Sequence, residues 1–433
     1  MVHVLAIVML LVFPGVAAAQ TADELALRAR ALTQSLPEKL REASAWSFED
    51  AERQEVRFAP FRLDGVRHDA LGDDARGLAD ELLAVTLSRA GFEKLQAIRL
   101  LERDVRRIDR ERLLGLLASW MRDPGRYLWA FFGEPGNEKP WAFRLEGHHL
   151  SLNVTLVPGH VPSSTPLFLG AQPRVVPDGW PSAGVATLGE EERLARALYA
   201  SLTPLQRAIA TGPYSDGHGR MVGEVSRIES PDPLGLARSD MTPTQQTQLD
   251  AFLDQFASFW GQEIAAARRA EIASAREELS FVHVELDDPP HGFYTRVGGP
   301  DLLIEIDNTG DGDHVHAVWH NPGSDFGENL LARHLRHHHA VTSVELAPSA
   351  AGGDNARSAS DRRLTSPRSE PGKAESDEQR GRRFGYHERE ARGIETQLGD
   401  VLVADLGVHL HSSEGVDAAR VVGIADRSRA VAK

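Results

Sequence analysis

Residues 144–155 read RLEGHHLSLNVT and align without gaps on residues 296–307, which read RVGGPDLLIEID. Both windows place an arginine, a glycine and a leucine at the same offsets, and apolar and polar residues alternate after the glycine. Such alternation is typical of a strand with one apolar face, and each window predicts an antiparallel strand–turn–strand unit. The similarity of the windows predicts two internally duplicated halves, over residues 46–200 and 201–340. Alternatively, the two windows are similar because two unrelated strand–turn–strand units have converged on the same pattern.

Helical patterns surround both windows. Segments 21–40 and 69–117 carry apolar residues near helical spacing. Thr203-Pro204 and Thr242-Pro243 each place a threonine N-cap before a proline at the first helical position. The fold class predicted from these patterns is α+β, with antiparallel sheets covered by helices.

The two ends of the chain differ in composition from its centre. Residues 4–13 are continuously apolar, and the small residues 17–19 that follow resemble a cleavage site. We therefore predict a signal peptide over 1–19, a periplasmic or secreted protein, and no integral membrane segment after processing; a buried first helix is the alternative. A globular domain is expected over 20–347, and a low-complexity, mostly disordered tail over 348–433.

Charge and cysteine content exclude several classes of function. The formal net charge is −15, which argues against binding to nucleic acids or anionic membranes, because both need a basic surface. The chain has no cysteine, so it has neither disulfides, nor a thiolate metal site, nor a cysteine nucleophile. Any metal here must be held by nitrogen and oxygen ligands.

Residues 305–319, EIDNTGDGDHVHAVW, carry the clearest chemical signal. His314 and His316 are two apart and share a face if the segment is a strand, and Asp307 alternates onto the same face. His149 falls on the polar face of the first window. Imidazoles beside carboxylates suit divalent transition metals such as zinc, iron or copper. We therefore predict His149, His314, His316 and Asp307 as metal ligands.

Three further residues are candidates for catalysis. Glu305 could serve as a ligand or as a general base, while Arg144 and Arg296 could hold a small anionic substrate. Together with the signal peptide, these residues predict an extracytoplasmic metal-dependent enzyme of the hydrolase type. Two alternatives stay open: metal-free acid–base chemistry, and a non-catalytic secreted binding or structural protein whose histidines pack internally.

Several short motifs carry a resemblance to a known family. They are Phe132-Gly-Glu-Pro135, residues 146–153, 305–308, 314–319 and 321–326, and the two Thr-Pro-x-Gln helix starts. With these motifs the chain resembles the domain-of-unknown-function family numbered 3500, from about Trp46 to about His339. The resemblance implies kinship and supplies no reaction. His320 stands where an arginine is expected, which leaves any role of a cation there in doubt.

Overall fold

A computed structural model describes residues 14–56, 65–110, 122–180, 182–212, 221, 226–228, 233–285, 292–308 and 312–328. The apolar run at 4–13 and the tail predicted from residue 348 lie outside the described residues. Among the helices of the described part, none is long and apolar enough to cross a membrane.

The strands of the described residues form one twelve-stranded sheet, with the order β1-β3-β4-β5-β7-β12-β11-β10-β9-β8 along its main path. β2 also pairs with β3, and β6 with β5. The β1–β3 pair is parallel and the other pairs are antiparallel. The strands are β1 (Ala45–Trp46), β2 (Val66–Arg67), β3 (Leu128–Phe132), β4 (Trp141–Gly147), β5 (Leu150–Val157), β6 (His160–Ser163), β7 (Leu167–Ala171), β8 (Leu236–Ala237), β9 (Ser280–Glu285), β10 (Phe293–Gly299), β11 (Leu302–Asp307) and β12 (Val315–His320).

The helices supply the rest of the core. They are α1 (Pro14–Ser35), α2 (Glu38–Ala43), α3 (Asp73–Thr86), α4 (Arg89–Arg110), α5 (Gly189–Ser201), α6 (Pro204–Thr211), α7 (Pro243–Ala257) and α8 (Gln262–Ala275). Apolar side chains from these helices other than α2, and from alternate positions of the sheet, belong to one buried cluster. Leu40 of α2 packs against this cluster. The prediction of mixed helices and antiparallel strands is confirmed, but the strands form one continuous sheet where separate sheets were expected.

Both predicted threonine caps are present. Thr203 and Thr242 accept hydrogen bonds from the backbone N–H of Gln206 and Gln245, and each glutamine bonds back to the N-cap backbone. These are complete capping boxes, with proline in the first turn. The two glutamine side chains also hydrogen-bond each other at 3.0 Å in both directions, which joins the starts of α6 and α7.

The two similar windows form hairpins of the same register. Arg144 stands opposite Asn153 in the β4–β5 pair, and Arg296 stands opposite Glu305 in the β10–β11 pair. β5 and β11 flank the central β7–β12 pair, with β4 and β10 next to them. Each side of the sheet centre therefore consists of one central strand followed by one of the two similar hairpins, β5–β4 beside β7 and β11–β10 beside β12.

The second face of the sheet is also buried, and at β5 it carries polar side chains. Leu150 and Leu152 of β5 belong to the core cluster shared with the helices, as the alternation predicts. Ser151, Asn153 and Thr155 lie on the other face and are also buried. Polar groups in such surroundings need hydrogen-bond partners, so this face can hold an ordered arrangement of side chains.

Candidate metal centre

The first histidine of the centre lies at the turn of the β4–β5 hairpin. Gly147 ends β4, and a Cβ at its position would lie 1.4 Å from Cδ1 of Tyr127. Only glycine leaves room for this ring, whose hydroxyl donates a 2.8 Å hydrogen bond to the carbonyl of His148. His149 follows with a φ of 63°, a conformation that costs a non-glycine residue energy. The packing of Tyr127 thus fixes the turn that carries His149.

A second glycine makes room for the imidazoles at the sheet centre. Gly170 of β7 stands opposite His316 of β12, and its N–H donates to the carbonyl of His149 at 2.8 Å. A Cβ on Gly170 would lie 2.7 Å from Cδ2 of His149 and 3.0 Å from Cδ2 of His316. The absent side chain is therefore what allows the two rings to lie against β7.

Three imidazoles converge above this glycine. Nε2 of His149 lies 2.6 Å from Nε2 of His314, and Nε2 of His316 lies 2.9 Å from the same atom. His149 is 1% exposed, whereas His314 and His316 are half-buried. The three donor atoms are near enough to one another to hold a single metal ion.

A buried carboxylate lies behind the first imidazole. Glu102 of α4 is 1% exposed; its Oε1 lies 2.5 Å from Nδ1 of His149 and its Oε2 lies 2.9 Å from Nδ1 of His148. Burial alone would raise the pKa of Glu102, but the facing His149 and His148 outweigh it and hold that pKa well below its usual range. A nitrogen of Arg122 lies 3.4 Å away and adds positive charge. Glu102 is therefore an ionised acceptor.

The protonation of His149 follows from its surroundings. Burial, followed by the charge of His148, lowers the pKa of His149 well below its ordinary value and favours the neutral ring, although the facing Glu102 opposes this shift. A neutral imidazole carries one proton, and the carboxylate of Glu102 draws it to Nδ1. Nε2 of His149 then presents its lone pair to His314, which is the form that binds metals.

The three converging nitrogens of His149, His314 and His316 form a donor set that one cation could share. A proton on Nε2 of His314 can be donated towards one neighbour but not towards both. If His314 lacks that proton, its lone pair faces the lone pair of His149. A cation satisfies all three, and tetrahedral zinc with Zn–N bonds of about 2.0–2.1 Å needs nitrogens about 3.3 Å apart. To accept it, the His149–His314 pair would separate by about 0.7 Å and the His316–His314 pair by about 0.4 Å.

The family model named Protein of unknown function (DUF3500) matches residues 18–328. This chain belongs to that family. The match includes the three converging histidines and Glu102, and it starts upstream of the predicted boundary at Trp46. No curated protein and no solved structure matches the chain.

The other predicted acidic residues of this DUF3500 domain lie on the same face but outside the group of converging donors. Asp307 stands directly opposite His316 in the β11–β12 register and is half-buried. Glu305 is fully buried and accepts a 2.5 Å hydrogen bond from the hydroxyl of Tyr294. Side chains opposite each other in an antiparallel pair have Cβ atoms about 5 Å apart, so Asp307 adjoins the centre while Glu305 is one step further away.

The two predicted arginines have different surroundings. The guanidinium of Arg144 donates to the backbone carbonyls of Glu52 and Glu55 at 2.8 Å, and it pairs with the carboxylates of Glu52 and Glu146. Its donors are directed at protein acceptors, which is the pattern of a structural arginine. Arg296 is buried directly opposite Glu305, so a carboxylate faces its charge across the strands.

Sequence reasoning missed Glu102 and His148. Glu102 occupies the apolar side of α4, between the buried residues Ile98, Leu101 and Val105. Positions 98, 101, 102 and 105 follow the i, i+3, i+4, i+7 pattern of a buried helix face. A glutamate in that pattern needs a buried partner, and this signal was present in the sequence.

Proposed function

We propose that this protein is a metal-dependent hydrolase whose metal ion is held by His149, His314 and His316. The observation that carries the proposal is the convergence of three imidazole Nε2 atoms, two of them 2.6 and 2.9 Å from the third. Zinc held by three neutral imidazoles supplies a hydroxide nucleophile near neutral pH. Zinc is our first choice of metal, and iron or copper would also accept these ligands.

The exposure of the ligands supports a reactive centre over a purely structural one. His149 is buried whereas His314 and His316 are half-buried, and we propose that the centre meets solvent on the side of the latter two. Structural zinc sites have four protein ligands, whereas catalytic sites have three and keep a position open. Asp307 adjoins His316 on that face, and we propose it as a base acting on the nucleophile. As a fourth protein ligand, the role predicted from the sequence, Asp307 would instead make the centre a structural site.

The surroundings of the two predicted arginines do not identify the class of substrate. We predicted an anionic substrate from Arg144 and Arg296. Arg144 is directed at Glu52 and Glu146, and Arg296 is opposed by Glu305. Neither arginine specifies an anion by itself, so the experiment below uses both neutral and anionic esters.

We also propose that the protein is exported. The apolar run at residues 4–13 is followed by Ala17 and Ala19, and the family match begins at residue 18. α1 continues through the proposed cleavage site, but its buried side chains described here begin with Ala22. Cleavage after Ala19 would therefore retain every side chain of α1 that the structure describes as buried. N-terminal sequencing of the exported protein should begin at Gln20, and a mature chain that retains Met1 would refute processing.

The test of the hydrolase proposal combines metal content with activity. The full chain is purified without an added histidine tag, its metals are measured, and it is titrated with Zn²⁺. Hydrolysis of 4-nitrophenyl acetate and 4-nitrophenyl phosphate is then compared with that of a His314→Ala, His316→Ala variant. This comparison removes any contribution of the histidine run at residues 337–339. We expect one zinc per chain and a zinc-dependent hydrolysis that the variant lacks.

A non-catalytic binding or structural protein is the second candidate. The full burial of His149 and the two histidine–Glu102 hydrogen bonds favour it, because such a network can stabilise a fold by itself. This candidate predicts equal zinc content in wild type and variant. It also predicts that the variant loses stability without any change in hydrolysis.

A further inference from the structure

We propose that Glu102 is the positioning residue of the metal centre, and this inference rests on the proposed metal site. Its carboxylate would hold the Nδ1–H of His149 so that Nε2 of that ring points at the ion. Glu102 would not be a ligand itself, because its oxygens face the Nδ1 atoms of His149 and His148, whereas the metal side of the centre is formed by Nε2 atoms. Its effect on the metal would pass entirely through His149.

The geometry meets each requirement of such a role. Oε1 of Glu102 and Nδ1 of His149 are within hydrogen-bond distance, and a hydrogen bond to an ionised carboxylate is charge-assisted. Carboxylates that accept the second ring proton of a metal-bound histidine fix its tautomer and orientation, and they make the ligating nitrogen more basic. His149 is the ligand that most needs such support, because it sits at a turn with a positive φ.

The second oxygen of the same carboxylate also holds the turn on which His149 lies. Oε2 of Glu102 accepts from Nδ1 of His148, the residue whose carbonyl Tyr127 holds from the other side. Two consecutive histidines of the turn are thus bound to one side chain of α4. A carboxylate is suited to this role, because it can accept from both rings at once.

The experiment measures zinc affinity by competition with a chromophoric chelator and records the visible spectrum of the Co²⁺ form. The variants of the full chain are Glu102→Gln, which keeps the shape and loses the charge, and Glu102→Asp, which keeps the charge. The matched control is Glu191→Gln: Glu191 is 2% exposed and bonds to Lys94 and Gln255.

We expect Glu102→Gln to weaken zinc binding by roughly 10–100-fold, the range seen for such supporting partners. Glu102→Asp should recover part of that loss, and Glu191→Gln should bind zinc like the wild type. The Co²⁺ spectrum of Glu102→Gln should shift, because the orientation of His149 changes. A role in folding alone would lower stability in Glu102→Gln and Glu191→Gln alike and leave the zinc affinity of the folded protein unchanged.

The outcomes separate this inference from the proposed function. Wild-type protein that binds no zinc beyond the His314→Ala, His316→Ala variant would overturn the metal site, and the inference with it. Wild-type binding together with unchanged affinity in Glu102→Gln would overturn the inference alone. Two zinc ions per wild-type chain, one of them lost in Glu102→Gln, would make Glu102 a ligand. If Glu102→Gln does not fold, ¹⁵N shifts of histidine in the wild type decide, since His149 must carry its proton on Nδ1.

Discussion

Nε2 of His149 and Nε2 of His314 lie 2.6 Å apart although 165 residues separate them in the chain. The central pairing of β7 with β12 makes this contact, because it places Gly170 beside His316 and leaves no side chain between the rings. The β4–β5 turn and the start of β12 therefore each supply part of one centre. Neither half of the chain could form this centre alone.

The first prediction concerns the ligands. A His314→Ala, His316→Ala variant should lose bound zinc and still unfold cooperatively, because both side chains are half-buried on the polar face and outside the apolar cluster. Elemental analysis and urea unfolding measure the two effects. The control is His160→Ala, at an exposed position on β6, which should keep its zinc. Zinc retained in the double variant would show that His314 and His316 are not the ligands.

The strand patterns were predictable from the sequence because they are local. The period of two assigned the faces of β5 and placed His316 and Asp307 side by side, as the β11–β12 register has them. The threonine–proline starts of α6 and α7 were predictable for the same reason, since a cap involves only four consecutive residues. Duplication of the two halves stays a prediction, although the hairpins share one register.

Other features depend on contacts that no local pattern contains. The single continuous sheet results from the β7–β12 pairing, and the choice between one sheet and two is made by distant segments. Alternation also placed His149 in a strand, whereas it lies at the turn with a φ of 63°. The partnership of Glu102 with His149 joins a helix to a hairpin 47 residues away. The only sign of this partnership in the sequence was the position of Glu102 on the apolar face of a predicted helix.

The second prediction concerns the joined helix caps. Gln206→Ala and Gln245→Ala should each destabilise the fold, and the double variant should lose less than the sum of the two by about 0.5–1 kcal/mol, because each change already breaks the shared hydrogen bonds. Urea unfolding of the four proteins measures this coupling. Gln206→Ala combined with Gln34→Ala, an exposed position on α1, should be additive. Additivity in the Gln206–Gln245 pair would show that their contact contributes nothing to stability.

The third prediction concerns the acid sensitivity caused by His68. Burial, followed by the positive charges of Arg99 and Arg76, lowers the pKa of His68 to about 4, while Asp69 opposes them. Between about pH 6.5 and pH 4 the unfolded chain binds a proton at this position and the folded chain does not. The contribution of His68 to stability is thus complete above about pH 6.5 and is lost as the pH falls towards 4.

The free energy of unfolding should therefore fall less steeply in His68→Gln than in the wild type as the pH is lowered from about 6.5 to 4. The measurement is urea unfolding of wild type and variant at pH 7, 6, 5 and 4. The difference between the two proteins should move in favour of the variant as the pH falls. A difference that is constant over this range would mean that His68 titrates alike in the folded and unfolded chains.

The last prediction concerns Gly170, whose missing side chain admits the imidazoles. In Gly170→Ala the new Cβ would lie 2.7 Å from Cδ2 of His149, so the ring or the strand must move. Overpacking of this kind costs about 1–3 kcal/mol. A His149 ring pushed away from β7 would also direct its lone pair away from the point that the other two imidazoles share. We expect at least a tenfold loss of zinc affinity together with a modest loss of stability. Gly77→Ala in α3, where a Cβ meets nothing within 4 Å, should bind zinc normally and be slightly more stable. Unchanged zinc affinity in Gly170→Ala would show that β7 does not set the position of the histidines.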